Sequence, residues 1–150
     1  LNNKSDFNKN TDLLLYMASR SENIDKIMNS YKKKVILIDR FTDSTIAYQH
    51  YGMGVSINLI KTLNKYLLNN IKVDFTFLNI VNKKNLYTRL KKRNSLNRYD
   101  RFSMAFYNKV QNGFIKLSKL KKNKYKLINS NLDIRNNEKL VLDKIKNLIK

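Results

Sequence analysis

Apolar positions along the chain alternate between helical and strand-like spacing. Leu13, Leu14, Met17, Ile24 and Ile27 fall on one helical face, and Thr11-Asp12 can cap it, which predicts a helix to about Met28 after a polar opening loop, Leu1 to Asn10. Val35-Ile36-Leu37-Ile38 is a continuous apolar, mostly β-branched run. It predicts a strand over Lys34 to Ile38 buried on both faces, as in a parallel sheet. A loop and short helix follow over Thr42 to Tyr51, with Gly52 and Gly54 breaking the chain. Ser56 opens a helix carried by Ile57, Ile60, Leu63, Leu67 and Leu68. Val73 to Val81 reads as a second buried strand, interrupted by Asn79.

Further on, Lys84 to Arg93 is helical and basic, and Asn94 to Arg98 is a polar break. Phe102, Phe106, Val110, Phe114 and Leu117 then mark a long amphipathic helix. Tyr125 to Ile128 predicts a short third strand, and Asn137 to Ile149 a closing amphipathic helix. Strands separated by helices predict an α/β fold with a parallel sheet and helical crossovers. There is no internal repeat.

Composition narrows the chemistry. A chain of 150 residues, 42% hydrophobic, can bury one domain's core. It has no apolar run long enough to span a bilayer, so no membrane partner is expected, and no export leader is visible. The expected location is the cytoplasm. The absence of cysteine excludes disulfides and thiolate chemistry, and a single histidine, His50, argues against a histidine-based metal site. His50 is expected at the surface, and no protein metal ligands are predicted. The net charge of +20 invites a nucleic-acid reading. The basic residues are spread along the whole chain, however, amid abundant asparagine and isoleucine, as A+T-rich codons would supply. An anionic small molecule is therefore the expected target and nucleic acid is not. The lysine runs (Lys32 to Lys34; Lys119, Lys121, Lys122, Lys124) are expected to be solvated.

The polar residues that remain form a pattern. Tyr16 and Arg20 lie one helical turn apart and share a face. Asp39 and Arg40 end the first predicted strand, at the rim where ligands of parallel sheets collect, and Ser44, Thr45 and Gln49 follow at once. Arg89, Lys91, Arg93 and Arg98 form a basic cluster running into a polar loop. An aromatic ring beside arginine and hydroxyl groups suits a nucleobase. A second arginine cluster suits phosphoryl transfer, which rests on positioning and charge neutralisation.

Three segments together carry a resemblance: Thr11-Asp12-Leu13-Leu14-Leu15-Tyr16-Met17-Ala18-Ser19-Arg20, Asp39-Arg40-Phe41, and Ser44-Thr45-Ile46-Ala47-Tyr48-Gln49. With Lys72 to Leu78, the stretch Arg89 to Arg98, and Phe106 to Val110, they closely resemble bacterial-type thymidylate kinases over nearly the whole chain. The resemblance implies a P-loop nucleoside triphosphate hydrolase-like, three-layer parallel sheet, with a lid at about residues 89–100. It implies transfer of a phosphoryl group from ATP, with Mg²⁺, to dTMP, and a homodimer packed through helices such as Thr11 to Met28 and Ser56 to Asn69. By the same resemblance Tyr16 stacks on thymine and Arg20 hydrogen-bonds the base. Arg40 holds the monophosphate, with Asp39 orienting the acceptor end. Thr45 and Gln49 approach the base edge, and Ser44 lines the same wall. Arg93 reaches the transferring phosphate, supported by Arg89 and Lys91, with Arg98 completing the lid.

Several positions depart from that pattern. Met53 stands where an arginine is usual, His50 and Tyr51 occupy a glycine-rich turn, Val73 replaces a proline, Ile80 replaces an acid before a valine, and Asn97 replaces an aspartate. The largest departure is that no G-x-x-x-x-G-K-S/T motif occurs; the only glycines are Gly52, Gly54 and Gly113. An N-terminal truncation that removes the phosphate loop and the first strands is the expectation. The chain alone is expected to be poorly stable and inactive, with the assignment applying to the intact enzyme. Other readings remain open at this point: another deoxynucleotide or deoxynucleoside kinase, a non-catalytic kinase remnant, and a basic nucleic-acid-binding protein.

Overall fold

The computed structural model describes residues 7–30, 34–68, 71–93 and 98–149. Most of the opening loop, Lys32 and Lys33 of the first lysine run, and residues 94–97 of the expected lid, with Asn97, lie outside them. In chain order the elements are α1 (Lys9–Ser30), α2 (Thr42–Thr45), a π-helical stretch (Ile46–Gly52), α3 (Ile57–Leu68) and β1 (Thr76–Ile80). They continue with α4 (Lys83–Lys91), a 3₁₀ turn (Arg98–Arg101), α5 (Met104–Leu120), a 3₁₀ turn (Lys122–Lys124), β2 (Tyr125–Asn129) and α6 (Ile134–Ile149). β1 and β2 pair in parallel, with Thr76 opposite Tyr125 and Ile80 opposite Asn129. The helices between them form the crossover that parallel strands require.

Short polar side chains set where the helices begin. Asn8 Oδ1 accepts from the backbone N–H groups of Asn10 and Thr11 at 2.9 and 3.0 Å, and so caps α1. Asn82 caps α4 through the Asn85 N–H, and Ser103 caps α5 through the Phe106 N–H. Thr11-Asp12, expected as the cap of the first helix, is therefore already inside it. Asp12 donates its own N–H to the Asn8 carbonyl and turns its side chain into the interior, where it is 0% exposed.

The core sits on both sides of the π-helical stretch. On one side Leu13 and Met17 of α1 meet Val55 and Ile60; on the other, Ala47 meets Phe106 and Val110 of α5. Met53 packs against both groups and supplies apolar volume at their junction. The π-helical stretch ends at Gly52, and Gly54, two residues on, takes the left-handed region at φ 73°. A Cβ at Gly52 would stand 2.6 Å from Phe106 Cε2.

The first predicted strand is corrected. Residues 34–38 form no ladder with any described residue, and Val35 and Leu37 are 61% and 77% exposed. An apolar run becomes a strand only when a neighbouring strand pairs with its backbone, and none of the described residues does so. The second strand is shorter than predicted, beginning at Thr76 rather than Val73, because β2 offers partners only from Tyr125 onward. His50, expected at the surface, is half-buried, with its Nδ1 2.8 Å from the Val55 carbonyl and its ring edge-on to Tyr51. The lysines at 119, 121, 122 and 124 are exposed as expected.

Gly52→Ala overpacks the α5 contact and is expected to cost about 1–3 kcal/mol. Gly54→Ala meets no neighbour but must hold a left-handed backbone, costing about 1–2 kcal/mol. Urea unfolding followed by circular dichroism measures both; a Gly52→Ala midpoint equal to that of the parent would contradict the packing.

Candidate active site

A cavity of about 510 Å³ opens beside the carboxyl end of β1, where Leu78 to Val81 form one wall. Tyr16 from α1 and Tyr48 from the π-helical stretch supply aromatic surface, as do Tyr99 and Tyr107. Arg40, Arg93 and Arg98 supply positive charge. Residues far apart in sequence are thus gathered at the end of a parallel strand, where side chains and backbone converge without closing the sheet.

Each arginine is held differently. Arg40 has φ 61°, a left-handed conformation unusual for a residue with a Cβ, and its guanidinium lies 5.0 Å from the centre of the Tyr48 ring. Arg93 follows α4 and is exposed, with Nη1 2.5 Å from Asp100 Oδ1. The Asp100 hydrogen bond and charge hold its pKa above the usual arginine value. Arg98 is largely buried and donates from Nη1 to Asp12 Oδ1 at 2.5 Å and from Nη2 to the Phe7 carbonyl at 2.8 Å. The described residues contain no ion pair for Arg40, which leaves its guanidinium available to an anion.

Behind the aromatic wall lies a polar cluster centred on Asp12. Its Oδ2 accepts from the Tyr99 hydroxyl at 2.6 Å and from Gln49 Nε2 at 3.1 Å, and that amide also donates to Tyr99 Oη at 3.2 Å. Burial, then the hydrogen bond to Asp12, pushes the Tyr99 phenol well above its ordinary pKa. The Tyr107 hydroxyl donates to the Tyr99 carbonyl at 2.7 Å. Burial first, then the Asp100 charge, pushes the Tyr107 phenol up to about 12.

The residues proposed from sequence divide into groups. Tyr16, Arg40, Arg93 and Arg98 share the cavity. Arg20, Thr45 and Gln49 form a layer behind it. Arg20 donates to Thr45 Oγ1 at 2.6 Å, Asn64 Oδ1 at 3.0 Å and the Phe41 carbonyl at 3.2 Å, and burial lowers its pKa. Ser44 is half-buried and caps back onto the Phe41 carbonyl, while Asp39 is exposed outside the cavity lining. Arg89 donates to the Ser130 carbonyl at 2.5 Å, and Lys91 lies 4.7 Å from the centre of the Tyr87 ring, so both point away from the cavity. Sequence reasoning passed over Asp12 and Tyr99 as members of the site. The signal was present as Asp12, Tyr16 and Arg20 at steps of four, a polar stripe running beside Leu13 and Met17.

Arginines and aromatic rings thus stand at the carboxyl end of a parallel strand, where α/β folds place their ligands. The comparisons are narrower. A family model described as Thymidylate kinase matches residues 1–141. The thymidylate kinase of Acholeplasma laidlawii is 32% identical over 147 residues, covering 96% of this chain and 72% of that protein. That of Thermosipho africanus is 36% identical over 125 residues, covering 82% and 62%. The crystal structure of thymidylate kinase from Ehrlichia chaffeensis superposes with a TM-score of 0.74 at 28% identity, over 95% of this chain and 67% of that one. The chain belongs to the thymidylate kinase family. Its matches span between about half and three quarters of the curated relatives' lengths, from 49% to 72%.

The Tyr107 phenol generates a pH prediction. Because its folded pKa lies above the unfolded value of 10, its contribution to stability is complete below about pH 10 and is lost as pH rises through about 12. Urea midpoints measured from pH 9 to 12 should fall through that window, and less steeply in Tyr107→Phe. Parallel curves for the two proteins would show that Tyr107 is not responsible.

Proposed function

We propose that this chain forms the dTMP-binding and lid part of a thymidylate kinase, which transfers the γ-phosphoryl group of ATP to the monophosphate of dTMP, giving dTDP and ADP for dTTP synthesis. The observation that carries the reading is the cavity in which the Tyr16 ring stands with Arg40, Arg93 and Arg98. The Tyr16 ring stacks on thymine, and Arg40 takes the monophosphate through its planar donor fork. Arg93 exchanges its pair with Asp100, open to water on the arginine side, for the transferring phosphoryl group, whose charge is spread over three equatorial oxygens. Thr45, Gln49 and Arg20 sit behind the base, with Ser44 beside them, and fix the shape of its pocket. Asp39 orients the acceptor end, and Arg89 and Lys91 add positive charge to the lid.

The family's phosphate donor is ATP with Mg²⁺. Among the described residues no group of three or more His, Cys, Asp or Glu side chains could hold a metal ion, and the sequence contains no glycine-rich phosphate loop. The cavity lining is chiefly arginine, tyrosine and apolar side chains with the single carboxylate Asp100, which suits the acceptor side. No helix among them is long and apolar enough to cross a membrane. A homodimer in the cytoplasm completes the reading.

Calorimetric titration with dTMP, dUMP, dCMP and thymidine tests the acceptor assignment. dTMP should bind tightest, and Tyr16→Ala should weaken it by roughly 1–3 kcal/mol. Binding that ignores dTMP but collapses with added salt in the presence of DNA would instead favour the nucleic-acid reading. When ADP release is followed, Arg93→Ala should lower turnover more than dTMP affinity, and the reverse order would reject its role. Reading the coding DNA upstream of Leu1 addresses the donor side. A strand and a G-x-x-x-x-G-K-S/T motif in frame would supply the ATP phosphate site; an in-frame stop would leave a dTMP-binding remnant.

A further inference from the structure

Asp12 contributes no atom to the cavity surface, yet it is a fully buried acid reached by three donors from two other segments. A buried carboxylate is tolerated only when its lone pairs are filled, and filling them fixes the donors in return. The donors are Tyr99 Oη and Arg98 Nη1, from the residues that close the lid segment, and Gln49 Nε2 from the π-helical stretch. The Tyr99 ring is the centre of the aromatic wall, with its centroid 6.1 Å from that of Tyr16 and 5.4 Å from that of Tyr48. The ring also packs against Phe102, centroids 5.7 Å apart, and the Tyr99 carbonyl accepts from the Tyr107 hydroxyl, while the bond to Asp12 fixes the far end of the ring.

We propose that Asp12 is a positioning residue, which holds the Tyr99 ring between Tyr16 and Tyr48 and so presets the nucleotide cavity before ligand arrives. The proposal deepens the dTMP reading, on which its functional half rests. Because the Tyr99 proton is committed to Asp12, the ring offers a ligand its face and edge rather than a hydroxyl donor. Because Arg98 is paired with Asp12, it anchors the end of the lid segment, while Arg93, in the more exposed pair, is the arginine able to move.

The test compares the parent chain with Asp12→Asn, with Asp12→Asn combined with Arg98→Met, and with Ile60→Ala as a core-destabilised control that removes none of the hydrogen bonds to Asp12. The second variant removes the buried cation together with the acid, so that folding survives the loss of the pair. NMR of tyrosine-labelled protein, assigned with Tyr99→Phe, reads the proximity of the Tyr99 ring to the Tyr16 and Tyr48 rings, and calorimetry reads dTMP affinity. In both Asp12 variants the Tyr99 ring should move away from those two rings, and dTMP affinity should fall about tenfold. In Ile60→Ala the ring should stay in place and the affinity should hold. A Tyr99 ring that keeps its place in the Asp12 variants would overturn the proposal, as would a displaced ring with dTMP affinity unchanged. If the parent itself fails to bind dTMP while the ring is displaced as expected, the dTMP reading falls and the positioning of Tyr99 stands.

Discussion

The fully buried Asp12 carboxylate is the constraint around which the described structure is organised. Isolating such a charge from water costs several kcal/mol, and the interior recovers that cost only by bringing donors to it. Here they come from Gln49, Arg98 and Tyr99, so one side chain on α1 ties together the π-helical stretch and the 3₁₀ turn at Arg98–Arg101. The same set of bonds closes one side of the cavity. Stability and site geometry are therefore coupled: the interaction that makes the burial of Asp12 tolerable also aligns the aromatic wall.

Apolar packing provides the second frame. Leu13, Met17, Val55 and Ile60 grip the π-helical stretch from one side, while Phe106 and Val110 grip it from the other. The wider π-helical turn lets successive residues serve different neighbours. Thr45 just before it meets Arg20, Tyr48 faces the cavity, and Gln49 turns to Asp12. The absence of a side chain at Gly52 and Gly113 lets the aromatic rings of Phe106 and Tyr51 approach this region closely. Arg93 is exposed and pairs with Asp100, whose own side chain is buried.

The sheet shows the opposite situation. β1 and β2 pair with each other, whereas the apolar residues 34–38, just before Asp39 and Arg40, pair with no described residue. Their sequence fits a doubly buried strand, and they stand exposed. Arg40 reaches the cavity from this unpaired segment with a left-handed backbone, held nearby by the Arg20 bond to the Phe41 carbonyl and by Ser44. The placement of the arginine therefore depends on α1 and α2 rather than on a sheet.

Periodicity by itself determined the longer helices and the two paired strands to within a few residues, and the α/β class, because these depend on neighbours close in sequence. The motifs likewise determined the family and selected Tyr16, Arg40, Arg93 and Arg98 as cavity residues. Only the tertiary structure decided that Asp12 is a buried acceptor instead of a helix cap, because a carboxylate's role depends on which donors reach it from segments up to 87 residues away. It likewise decided that Arg20 and Gln49 lie behind the cavity wall, and that the run at 34–38 makes no ladder. A strand is a property of two backbones at once, and its own residues specify one of them.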